Sequence, residues 1–154
     1  MHYCILSALI GAVMSPLTTL IRTVDGYLAH MDLSTSMTDD GLYLFKYGST
    51  VIMVSLFEEE ALSFCRFTSV VLADFEPAPD ILKYINQLNC DVLFGTFLLF
   101  ESDTLSFSIT LLGNNLDKEE FETTLQYVAE ISDDYDDVLQ LLTGGKRASE
   151  LLGE

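Results

Sequence analysis

Residues 92–112, VLFGTFLLFESDTLSFSITLL, contain two apolar runs separated by a short polar turn, which is the pattern of two paired β-strands. In the second run, apolar residues take every other position from Leu105 to Leu111, with Ser106, Ser108 and Thr110 between them. This alternation predicts a strand with one dry face and one polar face. The first run is apolar on both faces, which is typical of a central strand or of a strand covered by a partner.

Helices flank these strands on both sides. Upstream, Pro77 and Pro79 begin a short helix, because proline in a first turn costs no hydrogen bond. Downstream, Asp117 and Glu120 have the spacing of a capping box and begin the last helix. A period of 3.6 residues predicts its core side as Phe121, Leu125, Val128, Ile131, Tyr135, Val138, Leu139 and Leu142.

The first half of the chain predicts a helix from Pro16 to about Met31, a polar loop and three strands. Gly48 and Ser49 form a two-residue hairpin turn between the first two of these strands. The predicted order is therefore α-β-β-β-α-β-β-α, in the α+β class, with helices packed on one antiparallel sheet of about five strands. We expect an apolar N-terminal arm (1–15), a single domain (16–145) and a C-terminal tail (146–154).

Charge and cysteine content narrow the function. Seven Lys and Arg stand against 24 Asp and Glu, giving a net charge of −17, which argues against nucleic acid or an anionic membrane as partner. Three cysteines, Cys4, Cys65 and Cys90, are odd in number and form no CxxC, so we expect reduced, mostly buried thiols in a cytoplasm. The only histidines, His2 and His30, lie in no zinc-binding pattern.

The N-terminal arm is unusually apolar. Tyr3 to Ile21 contains no charge and has the length of a short membrane span, but Pro16 interrupts it. We expect the arm to cover the core or to meet a second subunit rather than to anchor the protein in a membrane.

An acidic cluster in the last helix is the most conspicuous polar feature. Glu130, Asp133, Asp134 and Asp137 fall on the side opposite the apolar residues, which predicts a solvated face. The alternatives are a helix break at Ser132-Asp133, a contact for a basic partner, or a weak divalent-cation site. The cluster is not an EF-hand, because its sixth and twelfth positions, counted from Asp133, are valine and glycine.

Nothing in the sequence indicates catalysis or a cofactor. Neither histidine lies in a recognisable triad, and a hydrolase would have to use His30 or a carboxylate pair in a cleft. Gly144, Gly145 and Lys146 faintly resemble a phosphate loop, yet they follow a helix and do not fit GxxxxGK[ST]. We therefore expect no enzyme and no cofactor.

The strands carry more apolar residues than one buried face needs. Three short helices can cover one face of the sheet, so the other is predicted to be an apolar patch that binds a second copy or a peptide. Alternatively, the arm and the last helix cover it within the monomer. The candidate contact residues are Phe94, Phe97, Phe100 and Phe107.

Several local marks suggest a family. Asn86 and Asn89 end the middle helix, Phe94-Gly95-x-Phe97 follows, and the last helix ends in an Asp-Tyr-Asp cluster before Gly-Gly. With these marks, residues 41–145 resemble the YbjN-like family of small bacterial proteins, which are described as sensory-transduction regulators. Their order of elements is similar to that of the class I chaperones of type III secretion, which are small, acidic, dimeric α+β proteins that hold an extended client segment.

The resemblance implies a function. It implies a non-enzymatic adaptor, chaperone-like or regulatory, that acts as a cytoplasmic homodimer on a protein client and brings no catalytic residues. The alternative left open is an acidic calcium-binding or buffering protein that uses Glu130, Asp133, Asp134 and Asp137.

Overall fold

The structure, a computed structural model, describes residues 14–31, 35–38, 41–47, 50–101 and 103–151. The predicted α+β class and the order α-β-β-β-α-β-β-α are confirmed, and two short elements, β1 and α4, are added. The elements are α1 (Pro16–Leu28), β1 (Thr35–Met37), β2 (Tyr43–Tyr47), β3 (Thr50–Glu59), β4 (Leu62–Leu72), α2 (Pro79–Asp91), β5 (Thr96–Phe100), β6 (Thr104–Leu112), α3 (Lys118–Thr143) and α4 (Ala148–Leu151).

All strand pairs of the sheet are antiparallel, in the order β1-β2-β3-β4-β6-β5. The sheet has six strands instead of about five, because β1 forms where the sequence predicted a polar loop. Of the two alternatives for 92–100, a central strand is wrong, since β5 lies at one edge of the sheet, and a strand covered by a partner remains a prediction. Tyr47 pairs with Thr50, as a two-residue hairpin requires, but Gly48 and Ser49 lie outside the described residues.

The core lies between one face of the sheet and helices α1 and α3. Phe121 of α3 is fully buried, and its ring contacts those of Tyr27, Phe45 and Phe67 at centroid distances of 6.0, 6.3 and 5.2 Å. Because alternate residues of a strand share a face, the same side of the sheet carries Tyr43, Phe45, Ile52, Val54, Cys65, Phe67, Phe97, Phe107 and Ile109, all buried.

The helix ends follow the sequence signals. Asp117 and Glu120 form both hydrogen bonds of the capping box, so the predicted start of α3 is confirmed. Its C-terminal cap is Gly144, with φ of 73°, a left-handed conformation that glycine adopts without strain. Pro16 and Pro79 occupy the first turns of α1 and α2, where a missing N–H leaves no bond unmade.

Helix α3 differs from prediction in its second half. It is continuous, so the alternative of a break at Ser132-Asp133 is wrong; the Ser132 hydroxyl donates to the Val128 carbonyl at 2.7 Å. Val138 and Leu142, predicted on the core side, are 43% and 52% exposed, while Leu139 is buried. In its last turns the helix therefore keeps only a narrow strip in contact with the core.

The segment after α3 folds back onto the sheet. Lys146 exchanges two backbone hydrogen bonds with Ala73 at the end of β4, at 2.7 and 2.8 Å, and its ammonium group pairs with Asp74. The predicted boundaries 1–15, 16–145 and 146–154 remain predictions. Most of the apolar arm lies outside the described residues, and within the described ones no helix is both long and apolar enough to cross a bilayer.

The described thiols are free, and they lie in different surroundings. Cys65 is buried in the core, and burial raises the pKa of its thiol to about 12. Cys90 on α2 is exposed, so the expectation of mostly buried thiols holds for one of the two, and Cys4 lies outside the described residues.

Candidate functional site

The side of the sheet turned away from α1 and α3 is called the open face here. Successive side chains of a strand point to opposite faces of the sheet. The strand residues that alternate with the core residues therefore lie on the open face. It carries Met53, Ser55, Arg66, Thr68, Val70, Leu98, Phe100, Thr104, Ser106, Ser108 and Thr110.

Hydroxyl groups form the middle of the open face. Thr68 and Ser108 are cross-strand neighbours whose hydroxyl oxygens are 3.0 Å apart, and Thr96 pairs with Ser108 from the next strand. The Ser108 hydroxyl also donates to the Phe67 carbonyl at 3.1 Å. The open face is thus more polar than the apolar patch that the sequence suggested.

Two adjoining depressions lie on the open face, with volumes of about 430 and 500 Å³. They share Arg66, Thr68 and Phe100, and strands and turns supply all their lining residues. Met53 and Val70 add apolar surface to the first, and Leu98 adds it to the second. A polar floor between apolar walls can bind the peptide groups of an extended chain as well as its apolar side chains.

The four candidate phenylalanines divide between the core and the surface. Phe97 and Phe107 are 3% and 0% exposed, and the Phe97 ring contacts Phe107 and Tyr135 of α3. Phe94 and Phe100 are 40% and 50% exposed and line the second depression. Phe97 and Phe107 therefore pack in the core. Phe94 is partly exposed but stacks on Tyr127 of α3 at a centroid distance of 4.6 Å, and Phe100 is the most exposed candidate for partner contact.

Asn89, in the last turn of α2, forms hydrogen bonds with the backbone at the edge of β5. The Asn89 side-chain oxygen accepts from the Phe97 N–H at 2.6 Å, and its amide nitrogen donates to the Phe97 carbonyl at 3.2 Å. Both outward backbone groups of Phe97 are thereby satisfied by a side chain in place of a neighbouring strand. By the alternation of an antiparallel ladder, Leu99 also points its N–H and C=O outward.

The acidic cluster is largely a solvated face, as its helical spacing predicted. Asp133, Asp134 and Asp137 are exposed, and Asp137 forms an ion pair with Arg147 of the fold-back segment. Glu130 accepts a hydrogen bond from Gln126 at 2.7 Å. In the described ranges no three His, Cys, Asp or Glu side chains are placed so that they could hold a metal ion. The use of these residues in cation binding remains a prediction from sequence.

The hydrolase alternative remains a prediction, and the structure shows where its candidate histidine lies. His30 is exposed in the turn after α1 and lines neither depression of the open face.

The sequence analysis did not identify Arg66, Thr68 and the neighbouring hydroxyl groups as parts of one surface. The signal was present in β4, LSFCRFTSVVL, where Cys65 and Phe67 alternate with Arg66 and Thr68. Apolar and polar residues at alternate positions predict an apolar and a polar face of the strand. Arg66 and Thr68 are two residues apart, so they lie on the same face.

Comparison with known proteins gives a family and several solved structures. Residues 18–151 match the family described as TY-Chap1, T3SS (YopN, CesT) and YbjN peptide-binding chaperone 1. Among solved structures, a chain in the crystal structure of the ExsC-ExsE complex aligns with a TM-score of 0.58 at 14% identity, over 82% of this chain and 97% of that chain. Identity this low supports a shared fold alone, and no curated protein matches the sequence.

Proposed function

The chain belongs to the TY-Chap1 family of T3SS and YbjN peptide-binding chaperones, and from this premise we propose that it is a non-enzymatic adaptor for a protein client. It holds an extended segment of the client across the open face and acts as a homodimer. The free thiols of Cys65 and Cys90 favour a reducing compartment, the cytoplasm, as its location.

The observation that supports client binding most directly is the composition of the open face. The side chains of an extended segment alternate, so every second one can lie against Leu98, Phe100 or Met53. The peptide groups between them can bond to the more accessible hydroxyls of the open face, such as those of Thr68 and Thr110. A surface that was purely apolar would leave those peptide groups unsatisfied.

Phe100→Asp tests client binding. The probe is a short fluorescent peptide with blocked termini in which leucine and valine alternate with serine and threonine, and its affinity is read by anisotropy. We expect the substitution to lower the affinity about tenfold or more, because it removes the largest exposed apolar side chain of the open face and adds a charge.

Leu141→Asp is the matched control for this experiment. Leu141 is 88% exposed on α3, on the other side of the sheet, so the same substitution should leave peptide affinity unchanged. Equal affinities of wild type and Phe100→Asp for the peptide would contradict the assignment of the open face as the client site.

Exposed leucines beside the β5 edge support the homodimer. Leu93, just before β5, is 89% exposed, and Leu99 of β5 itself is 37% exposed. Apolar side chains next to an edge strand form a surface that a second copy can cover. Sedimentation equilibrium should give a mass of about twice 17.2 kDa for wild type and the monomer mass for Leu93→Asp. A wild-type mass of 17.2 kDa at every concentration would rule out the dimer.

A further inference from the structure

Arg66 lies where the two depressions of the open face meet, and it lines both. Its guanidinium carbon is 4.9 Å from the centroid of the Phe57 ring, and its Nε donates to the Thr110 hydroxyl at 3.0 Å. A ring on one side and a hydrogen bond at Nε restrict the orientation of this exposed side chain. The cation is therefore held in place on the surface of the groove.

Arg66 has no carboxylate partner among the described residues, although acidic residues outnumber basic ones 24 to 7 in the chain. Most other cations are paired: the ion pairs are Lys83–Asp80, Lys118–Glu122, Lys146–Asp74 and Arg147 with Asp137 and Glu150. Apart from Glu101, which lines the first depression, the side chains that line the two depressions with Arg66 are hydroxyl-bearing or apolar. As far as the described residues show, the Arg66 guanidinium thus lies without a carboxylate partner between the two depressions.

The two terminal nitrogens of the Arg66 guanidinium are suited to binding a carboxylate. Nε is bonded to Thr110, whereas the two terminal nitrogens make no hydrogen bond within the described part of the chain. These nitrogens form a planar fork that matches the two oxygens of a carboxylate. The net charge of −17 repels strongly acidic segments at long range. The guanidinium fork and the negative net charge together favour a client segment that carries one carboxylate and is otherwise neutral or basic.

We propose that Arg66 is a specificity-determining residue that binds an aspartate or glutamate side chain of the client. The carboxylate lies over Arg66, and apolar side chains on either side of it enter the two depressions. This inference rests on the proposed function, because it concerns the segment that the open face holds.

The test uses three versions of the fluorescent peptide, identical except for one central residue, which is glutamate, glutamine or lysine. Wild type should bind the glutamate peptide about tenfold more tightly than the glutamine peptide, as a charge-assisted hydrogen bond predicts. Added salt should reduce this preference, because the ion pair is exposed. Arg66→Gln should bind both peptides with the affinity that wild type has for the glutamine peptide, and Arg66→Lys should retain part of the preference.

Arg22→Gln is the matched control, since it changes the net charge equally. Arg22 lies on α1 against the Met14 sulfur and lines neither depression, so this variant should keep the full preference. Equal binding of the glutamate and glutamine peptides by wild type, or a preference that survives Arg66→Gln, would overturn the role of Arg66 while leaving peptide binding intact. Tightest binding of the lysine peptide would also overturn it. Failure of all three peptides to bind would overturn the proposed function and this inference together.

Discussion

Replacing Phe121 by alanine is expected to lower the free energy of unfolding by about 3–5 kcal/mol. Phe121 is fully buried, and its ring contacts Tyr27 of α1, Phe45 of β2 and Phe67 of β4. A single side chain of α3 therefore contacts helix α1 and the two strands β2 and β4. Its removal leaves a cavity between rings that are held by different elements and cannot easily close it.

Urea unfolding followed by circular dichroism measures this loss. Leu141→Ala is the control, because Leu141 is 88% exposed on the same helix and its truncation should change stability by less than about 0.5 kcal/mol. A loss below about 1 kcal/mol for Phe121→Ala would show that the core closes around the missing ring and that Phe121 does not join the layers.

Gly95→Ala is expected to cost about 2–4 kcal/mol for two separate reasons. Gly95 has φ of 91°, a conformation that disfavours any residue with a Cβ. An added Cβ would also lie 2.5 Å from Cζ of Phe107 and 2.7 Å from Cγ1 of Ile109, so buried side chains would have to shift. Because Gly95 lines the second depression, peptide affinity should fall in the same variant.

Two other glycines separate these causes in the same urea measurement. Gly144 has φ of 73° and no atom within 4 Å of the position that a Cβ would take, so Gly144→Ala reports the backbone strain alone, at about 1–2 kcal/mol. Gly26, inside α1, has neither feature, and Gly26→Ala should stabilise the protein by about 0.5–1 kcal/mol. A loss at Gly95 no larger than that at Gly144 would show that the Phe107 contact relaxes without cost.

Features with a local cause were predictable from sequence. The capping box of Asp117 and Glu120 is made by residues three apart, and the proline starts at Pro16 and Pro79 depend on one residue each. The alternation of β6 likewise identified the residues that share its polar face, although Ser106 and Ser108 of that face are buried. These signals act over one turn of helix or a few residues of strand.

Features that depend on neighbouring elements were predicted less well. The apolar character of β5 left open a central strand or a strand covered by a partner. The structure excludes the first, because β5 is an edge whose outward groups at Phe97 are satisfied by Asn89, eight residues away in the chain. Val138 and Leu142 follow the helical period of α3, yet they are largely exposed. Periodicity assigns a residue to a side of a helix, whereas burial requires another element on that side.

The residues of the candidate site were likewise predicted only in part from the sequence. Composition suggested an apolar patch on the strands, and of the four candidate phenylalanines Phe94 and Phe100 are exposed. It could not separate them from Phe97 and Phe107, because all four lie in the two predicted strand runs, whereas their burial depends on which other elements pack against them. Arg66 passed unnoticed for a related reason: its Nε is bonded to a hydroxyl 44 residues further along the chain.

The sequence by itself determined the class, the order of the main elements and the residues that share a face, since helix and strand periods are properties of the local backbone. Only the tertiary structure decided that α1 and α3 cover the same side of the sheet, that β5 is an edge, and that Arg66 meets Phe57 and Thr110 between two depressions. Those outcomes depend on contacts between distant residues. No short stretch of chain carries the information about which faces meet, so the binding surface emerges only when the layers pack.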